Sequence, residues 1–305
     1  MKDHILFRGI MPALITPLND DGTIREKSVR PLMDWQSAQG VQGFYVLGAT
    51  GEGAVLAEKE RMRMAEAAAD AVKGTGKKLI LHIGAPEMAS AERLAKHARE
   101  VGADAVSSVY PNFFCHYSVE EALDYYRRLI DACGLPMLGY CQALMQGADV
   151  VSFVDRFMQL DGTIGVKYTF PNYYNMCLIK QLCSGNINVI NGPDETLLAG
   201  LSMGADGGIG STYNLMADWY VQLYSAFCAN DVSTASALQQ KINRVIGVCI
   251  RYGVVPSIKL CLNEMGFDVG HAAAPGRRYT EEQRKEIITA FHEAGLFDKY
   301  KERYE

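Results

Sequence analysis

Short apolar runs recur along the chain at residues 10–16, 43–47, 79–83, 105–109, 136–140, 164–167, 189–191 and 207–210, separated by longer stretches of mixed character. Each run has the length of a buried strand. From residue 10 to residue 207 they are spaced by seven intervals of about 28 residues, the length of one unit of a (β/α)8 barrel. The segments between them carry a helical period. Met62, Ala65, Ala69 and Val72 share a face after Glu58, and Leu94, Ala98 and Val101 share one after a Ser90 cap. Ser118-Val119-Glu120-Glu121 has the form of a capping box, with Leu123, Tyr126 and Ile130 continuing its apolar stripe.

Strands alternating with helices demand parallel pairing, and eight such units favour closure over an open sheet. An open doubly wound sheet fits less well, because no Gly-x-Gly-x-x-Gly follows the first run. After residue 215 the alternation stops. Helices are expected at 232–252, 256–265 and 281–294, the last opened by the capping pattern Thr280-Glu281-Glu282-Gln283. The expected fold is α/β, a TIM barrel over residues 1–229 with a C-terminal three-helix extension over 230–305 packed on it.

Composition narrows the function. The chain has 305 residues, 49% of them apolar, with a net charge of −5, so it can bury a large core and has no basic footprint for nucleic acid. No apolar run reaches the length of a membrane span and the N-terminus lacks the core of a signal peptide, which points to a cytoplasmic protein that binds neither membrane nor nucleic acid. Eight cysteines lie scattered without a Cys-x-x-Cys pair, and no histidine cluster has metal-ligand spacing. Reduced thiols and a site without metal or other cofactor are expected.

Active sites of such barrels lie at the C-terminal ends of the strands, so those positions are read together. Gly162-Thr163-Ile164-Gly165-Val166-Lys167 is an apolar run ending in a lysine. An amine at the rim of a sheet, between apolar walls, is suited to Schiff-base formation with a carbonyl substrate; the plainer alternative is a lysine whose head lies in water. The run ending at Tyr140 brings a phenol to the same rim, either as a proton carrier or as a core residue. Gly48-Ala49-Thr50-Gly51-Glu52-Gly53 brings backbone N–H groups close to an anion such as a carboxylate, or forms an ordinary turn. Asp194 and Glu195, in Asn191-Gly192-Pro193-Asp194-Glu195, either complement a helix start or bind the hydroxyls of a polyol.

Together with Gly204-Ala205-Asp206-Gly207-Gly208-Ile209-Gly210-Ser211-Thr212-Tyr213-Asn214, these motifs resemble the dihydrodipicolinate synthase/N-acetylneuraminate lyase superfamily, and its N-acetylneuraminate lyase branch in particular. The resemblance runs from Arg8-Gly9-Ile10-Met11 to the C-terminal helices. It implies a class I aldolase and typically a homotetramer, acting on a small 2-keto acid without a cofactor. Lys167 would form an imine with the ketone of sialic acid and Tyr140 would take the proton of the C4 hydroxyl. Ala49, Thr50 and Gly51 would hold the pyruvyl carboxylate, and Thr169, Gly192, Asp194, Glu195 and Ser211 would face the sugar.

The chain departs from the family pattern at several places. Ala49 stands where the pattern has Ser or Thr, and Cys141-Gln142-Ala143 follows Tyr140 instead of Asn-x-Pro. No Arg occurs between there and Arg156, which counts against the synthase branch. Pro111-Asn112-Phe113-Phe114 lacks the tyrosine pattern of the family, and Phe170-Pro171-Asn172 replaces small residues and Asp. An aldolase or dehydratase for another 2-keto-3-deoxy sugar acid, and a non-catalytic regulatory protein that binds a 2-keto acid, stand as alternatives.

Overall fold

A computed structural model describes residues 4–110, 117–142 and 149–300. The eight apolar runs form parallel strands: β1 Gly9–Pro12, β2 Gly43–Val46, β3 Lys78–His82, β4 Ala105–Ser108, β5 Met137–Cys141, β6 Thr163–Tyr168, β7 Asn188–Asn191 and β8 Gly207–Gly210. Their order is β1-β8-β7-β6-β5-β4-β3-β2, and a parallel bridge between Ala13 and Tyr45 closes β1 onto β2. The result is a TIM barrel. β1 is shorter than expected because beyond Leu14 its backbone turns to side-chain partners: the Ile15 amide donates to Asn214 Oδ1.

The helices are α1 Val29–Ala38, α2 Glu58–Val72, α3 Met88–Glu100, α4 Val119–Cys133, α5 Val150–Phe157, α6 Tyr173–Gln181, α7 Leu197–Ser202 and α8 Tyr213–Cys228. Both expected capping boxes form, at Ser118 with Glu121 and at Thr280 with Gln283. Ser90 is not the cap expected of it. α3 starts earlier, at Met88, and the Ser90 hydroxyl lies inside its first turn, donating to Glu58 of α2. The buried face of α2 is also rotated from the expected one, toward Arg61, Met64, Ala68 and Ala71. Polar burial explains the shift: the Arg61 guanidinium donates to the carbonyls of Gly84 and His82, both at 2.9 Å.

After the barrel come α9 Val232–Tyr252, α10 Val254–Glu264 and α11 Glu281–Glu293. α9 packs on α8, and α10 and α11 pack on α9. Among the described residues, no single helix is long and apolar enough to cross a membrane.

Two apolar clusters divide the core. One fills the space between strands and helices. The other is the barrel interior, to which every strand contributes: Met11, Tyr45, Ile80, Ala105, Leu138 and Tyr140, Ile164, Ile190 and Ile209. Within β6 the assignment breaks the period of two. Ile164 faces the interior, yet Val166 and Tyr168 belong to the outer layer and Lys167 reaches the interior rings. A β-bulge is the cause: Met137 pairs with Thr163 and Leu138 with Gly165, leaving Ile164 as the extra residue. Gly165 takes φ 150°, and a Cβ there would lie 1.9 Å from the Asn188 carbonyl oxygen, so only glycine fits. The bulge is what turns Lys167 inward.

Candidate active site

Lys167 and Tyr140 are register partners on β6 and β5, and they are only 5% and 6% exposed. The Lys167 ammonium group lies 4.3 Å from the centre of the Tyr140 ring and 4.9 Å from that of Tyr45. An amine so enclosed has aromatic faces as neighbours in place of water. Tyr45 donates its hydroxyl to Ser107 Oγ at 3.1 Å. Burial, reinforced by Tyr140, raises its phenol well above the usual range, so Tyr45 stays protonated.

His82, at the end of β3, stands edge-on to Tyr140 with ring centres 6.3 Å apart. The Val109 amide donates to its Nε2 at 3.2 Å, which in the neutral ring places the proton on Nδ1. Burial, then Arg61 and Lys167, push its pKa down to about 3. His82 is therefore a neutral ring that can donate through Nδ1, an atom with no partner among the described residues. Neither Tyr45 nor His82 is among the residues picked out from sequence. The available signal was a polar or aromatic side chain on the inward face of an otherwise apolar strand.

The turn after β2 holds Ala49, Thr50 and Gly51. The amides of Ala49 and Thr50 donate to no group among the described residues, leaving two successive N–H groups for an anion. Thr16 fixes the turn from within by donating to the Gly51 carbonyl at 2.6 Å. Thr50 Oγ1 lies 2.6 Å from Ser211 Oγ, joining this turn to the one after β8. Ala49 is exposed and offers only backbone.

Thr169, Gly192, Asp194, Glu195 and Ser211 come together along one cleft of about 530 Å³. Thr169 Oγ1 is buried with no partner among the described residues, and a Cβ on Gly192 would lie 2.0 Å from it, so glycine keeps that hydroxyl's surroundings open. Asp194 Oδ2 accepts from the Thr212 amide at 2.7 Å and from its hydroxyl at 2.6 Å. Burial raises the Asp194 pKa, opposed by those two bonds and by Lys167. Glu195 is exposed at the rim. The remaining wall is largely apolar and includes Phe170, Pro171, Ile246, Ile250 and Val254, with Ile250 65% exposed. The departures noted at residues 111–116 and at Ala143 lie outside the described residues.

A parallel barrel with a lysine and a tyrosine enclosed at the C-terminal ends of adjacent strands, and a turn after β2 with two unpaired amides, has the layout of a barrel enzyme. The chain belongs to the dihydrodipicolinate synthetase family, whose model matches residues 6–294. It is 38% identical over 260 residues to the N-acetylneuraminate lyase of Escherichia fergusonii, covering 85% of this chain and 86% of that one. Its fold matches the Proteus mirabilis N-acetylneuraminate lyase with a TM-score of 0.90 at 29% identity, over 95% of this chain and 99% of that one. CdNal from Clostridium difficile, solved in complex with mannosamine, matches with a TM-score of 0.89 at 29% identity, over 94% and 99% of the two chains.

Proposed function

We propose that this protein is a class I aldolase that cleaves N-acetylneuraminate to pyruvate and N-acetylmannosamine through an imine on Lys167. The observation that carries the reading is the enclosure of Lys167 against the Tyr140 ring at 4.3 Å and the ring of Tyr45 at 4.9 Å, Tyr45 lying on the strand that leads into the turn with unpaired amides. The relatives named N-acetylneuraminate lyase, matched over most of both chains, support the same substrate.

In this mechanism the Lys167 amine, in its neutral form, adds to the C2 ketone, and with the uptake of one proton water leaves, giving a protonated imine. Tyr140 takes the proton from the C4 hydroxyl. The C3–C4 bond then breaks, its electron pair passing into the imine to form an enamine as the aldehyde departs. Protonation of the enamine at C3 and hydrolysis of the imine release pyruvate and restore the lysine. The amides of Ala49 and Thr50, with Thr50 braced by Ser211, hold the carboxylate. Thr169, Gly192, Asp194 and Glu195 line the path of the hydroxylated chain. By resemblance to the family, the enzyme works as a homotetramer.

Incubation with pyruvate and borohydride tests the chemistry. A stable mass addition mapping to Lys167, absent in Lys167→Ala, is expected; no addition to the wild-type protein would refute it. The apolar wall of Phe170, Pro171 and Ile250 favours a second reading, an aldolase for a different 2-keto-3-deoxy acid. Pyruvate release from N-acetylneuraminate and from 2-keto-3-deoxygluconate, measured side by side, separates the two.

A further inference from the structure

We infer that Lys259, in the C-terminal extension, is a positioning residue for the 2-oxo acid, acting through Glu52 on the turn that receives the carboxylate. The inference rests on the proposed role of residues 49–51 as that carboxylate site.

Glu52 directly follows Thr50 and Gly51 and adopts the left-handed conformation, with φ 57° and ψ 20°. This conformation is unfavourable for a residue with a side chain, so its surroundings must hold it. Both carboxylate oxygens are held. Oε2 accepts from the Lys259 ammonium at 2.6 Å, and Oε1 accepts from the Ala273 amide at 2.6 Å. Lys259 donates a second bond to the His271 carbonyl at 2.8 Å. The two side chains are only 1% and 9% exposed, so the pair lies almost wholly out of water.

Inside the turn, the Glu52 amide donates to the Ala49 carbonyl at 3.0 Å, and the Gly53 amide to the Gly48 carbonyl at 3.2 Å. Any rotation of Glu52 is thus transmitted to the peptide planes of residues 49 and 50. Thr16 fixes Gly51 from the barrel side and Lys259 fixes Glu52 from the extension. The amides offered to the ligand are clamped between them. A buried ion pair is poor evidence for stability, because an apolar replacement of similar shape is often as stable. What this pair supplies is the geometry of a turn made 207 residues away from the lysine that holds it.

The test is the pyruvate dependence of borohydride trapping at Lys167, with the split between KM and kcat in cleavage as a second readout. Lys259→Met should raise the pyruvate concentration for half-maximal trapping about tenfold, as expected for a displaced binding group. Trapping at saturating pyruvate should still be reached, so the effect falls on KM rather than kcat. Lys259→Met leaves the buried Glu52 carboxylate without its counter-ion, which can prevent folding. The double variant Lys259→Met with Glu52→Gln removes that charge and should show the same shift. Unchanged pyruvate dependence in the folded variants, whatever their melting temperature, would overturn the inference, as would failure of both variants to fold. Absence of trapping in the wild-type protein is a distinct result that overturns the aldolase reading as well.

Discussion

Replacing Gly165 with alanine tests the most economical device in the site, the single extra residue that points Lys167 into the barrel. The added Cβ would stand 1.9 Å from the Asn188 carbonyl oxygen, on a strand whose neighbours leave it no room. Overpacking of this kind costs about 1–3 kcal/mol. Holding an L-residue at φ 150° adds about 1–3 kcal/mol more, for a total of about 2–6 kcal/mol. Against the total stability of an ordinary domain, about 5–15 kcal/mol, that is a large fraction but can leave a folded protein. The chain has a way to relieve the strain. It can lose the bulge, restore the period of two beyond Ile164, and send Lys167 to the helix side of the sheet. Misplacing the amine by even an ångström is enough to slow imine formation by about 100-fold. Urea unfolding followed by circular dichroism gives the stability, and borohydride trapping of the folded fraction gives the position of the amine. A Gly165→Ala protein that loses less than about 1 kcal/mol and traps pyruvate at the wild-type rate would refute the argument.

His82 predicts how stability changes with acid. Its folded pKa of about 3 lies below the unfolded value of 6.5, so between those values the unfolded chain binds the proton and folding is opposed. Its contribution is full above pH 6.5 and declines as pH falls, by about 2 kcal/mol at pH 5. Urea midpoints at pH 7 and pH 5 should fall less in His82→Gln than in the wild type, and equal losses would show that His82 does not set this slope. Thr169→Val removes a buried hydroxyl that has no partner among the described residues, which should stabilise the fold by about 1 kcal/mol. It should also raise KM for the sugar acid while leaving pyruvate trapping unchanged; a change in trapping instead would place Thr169 at the wrong end of the substrate.

The strands were legible because each is buried on both faces, so short stretches rich in apolar residues and glycine recur at a regular spacing, with Lys167 conspicuous near the end of one. The helix starts at Ser118 and Thr280 were legible because a capping box is local: four residues contain both partners. Ser90 shows the limit of that logic. Its hydroxyl serves a glutamate on the neighbouring helix, a partner 32 residues away that a local pattern does not contain. Likewise the buried face of α2 could not be read from apolar spacing, since Arg61 is drawn inward by two carbonyls at the end of β3 and after it. Tyr45 and His82 escaped because an aromatic or imidazole ring within a strand satisfies the core pattern as readily as it satisfies a site.

Gly165 and Glu52 mark a deeper limit. Each sits in a motif recognised from its residues, yet neither had its role assigned. A bulge is a property of two strands, visible only when Leu138 is found opposite Gly165 and not opposite Ile164. From the one-strand pattern, inward Ile164 implies outward Lys167, which contradicts the chemistry inferred for that lysine. The contradiction itself requires an irregularity between them, and Gly165, at φ 150° against the Asn188 carbonyl, is where the strand accommodates it. Glu52, counted within an anion-receiving turn, carries the wrong charge to touch an anion. Its two oxygens had to be satisfied elsewhere, and a buried cation from a distant part of the chain is the partner that such a carboxylate demands. Where a local motif contains a residue that its assigned chemistry cannot use, the rest of the fold has to supply the reason for its presence.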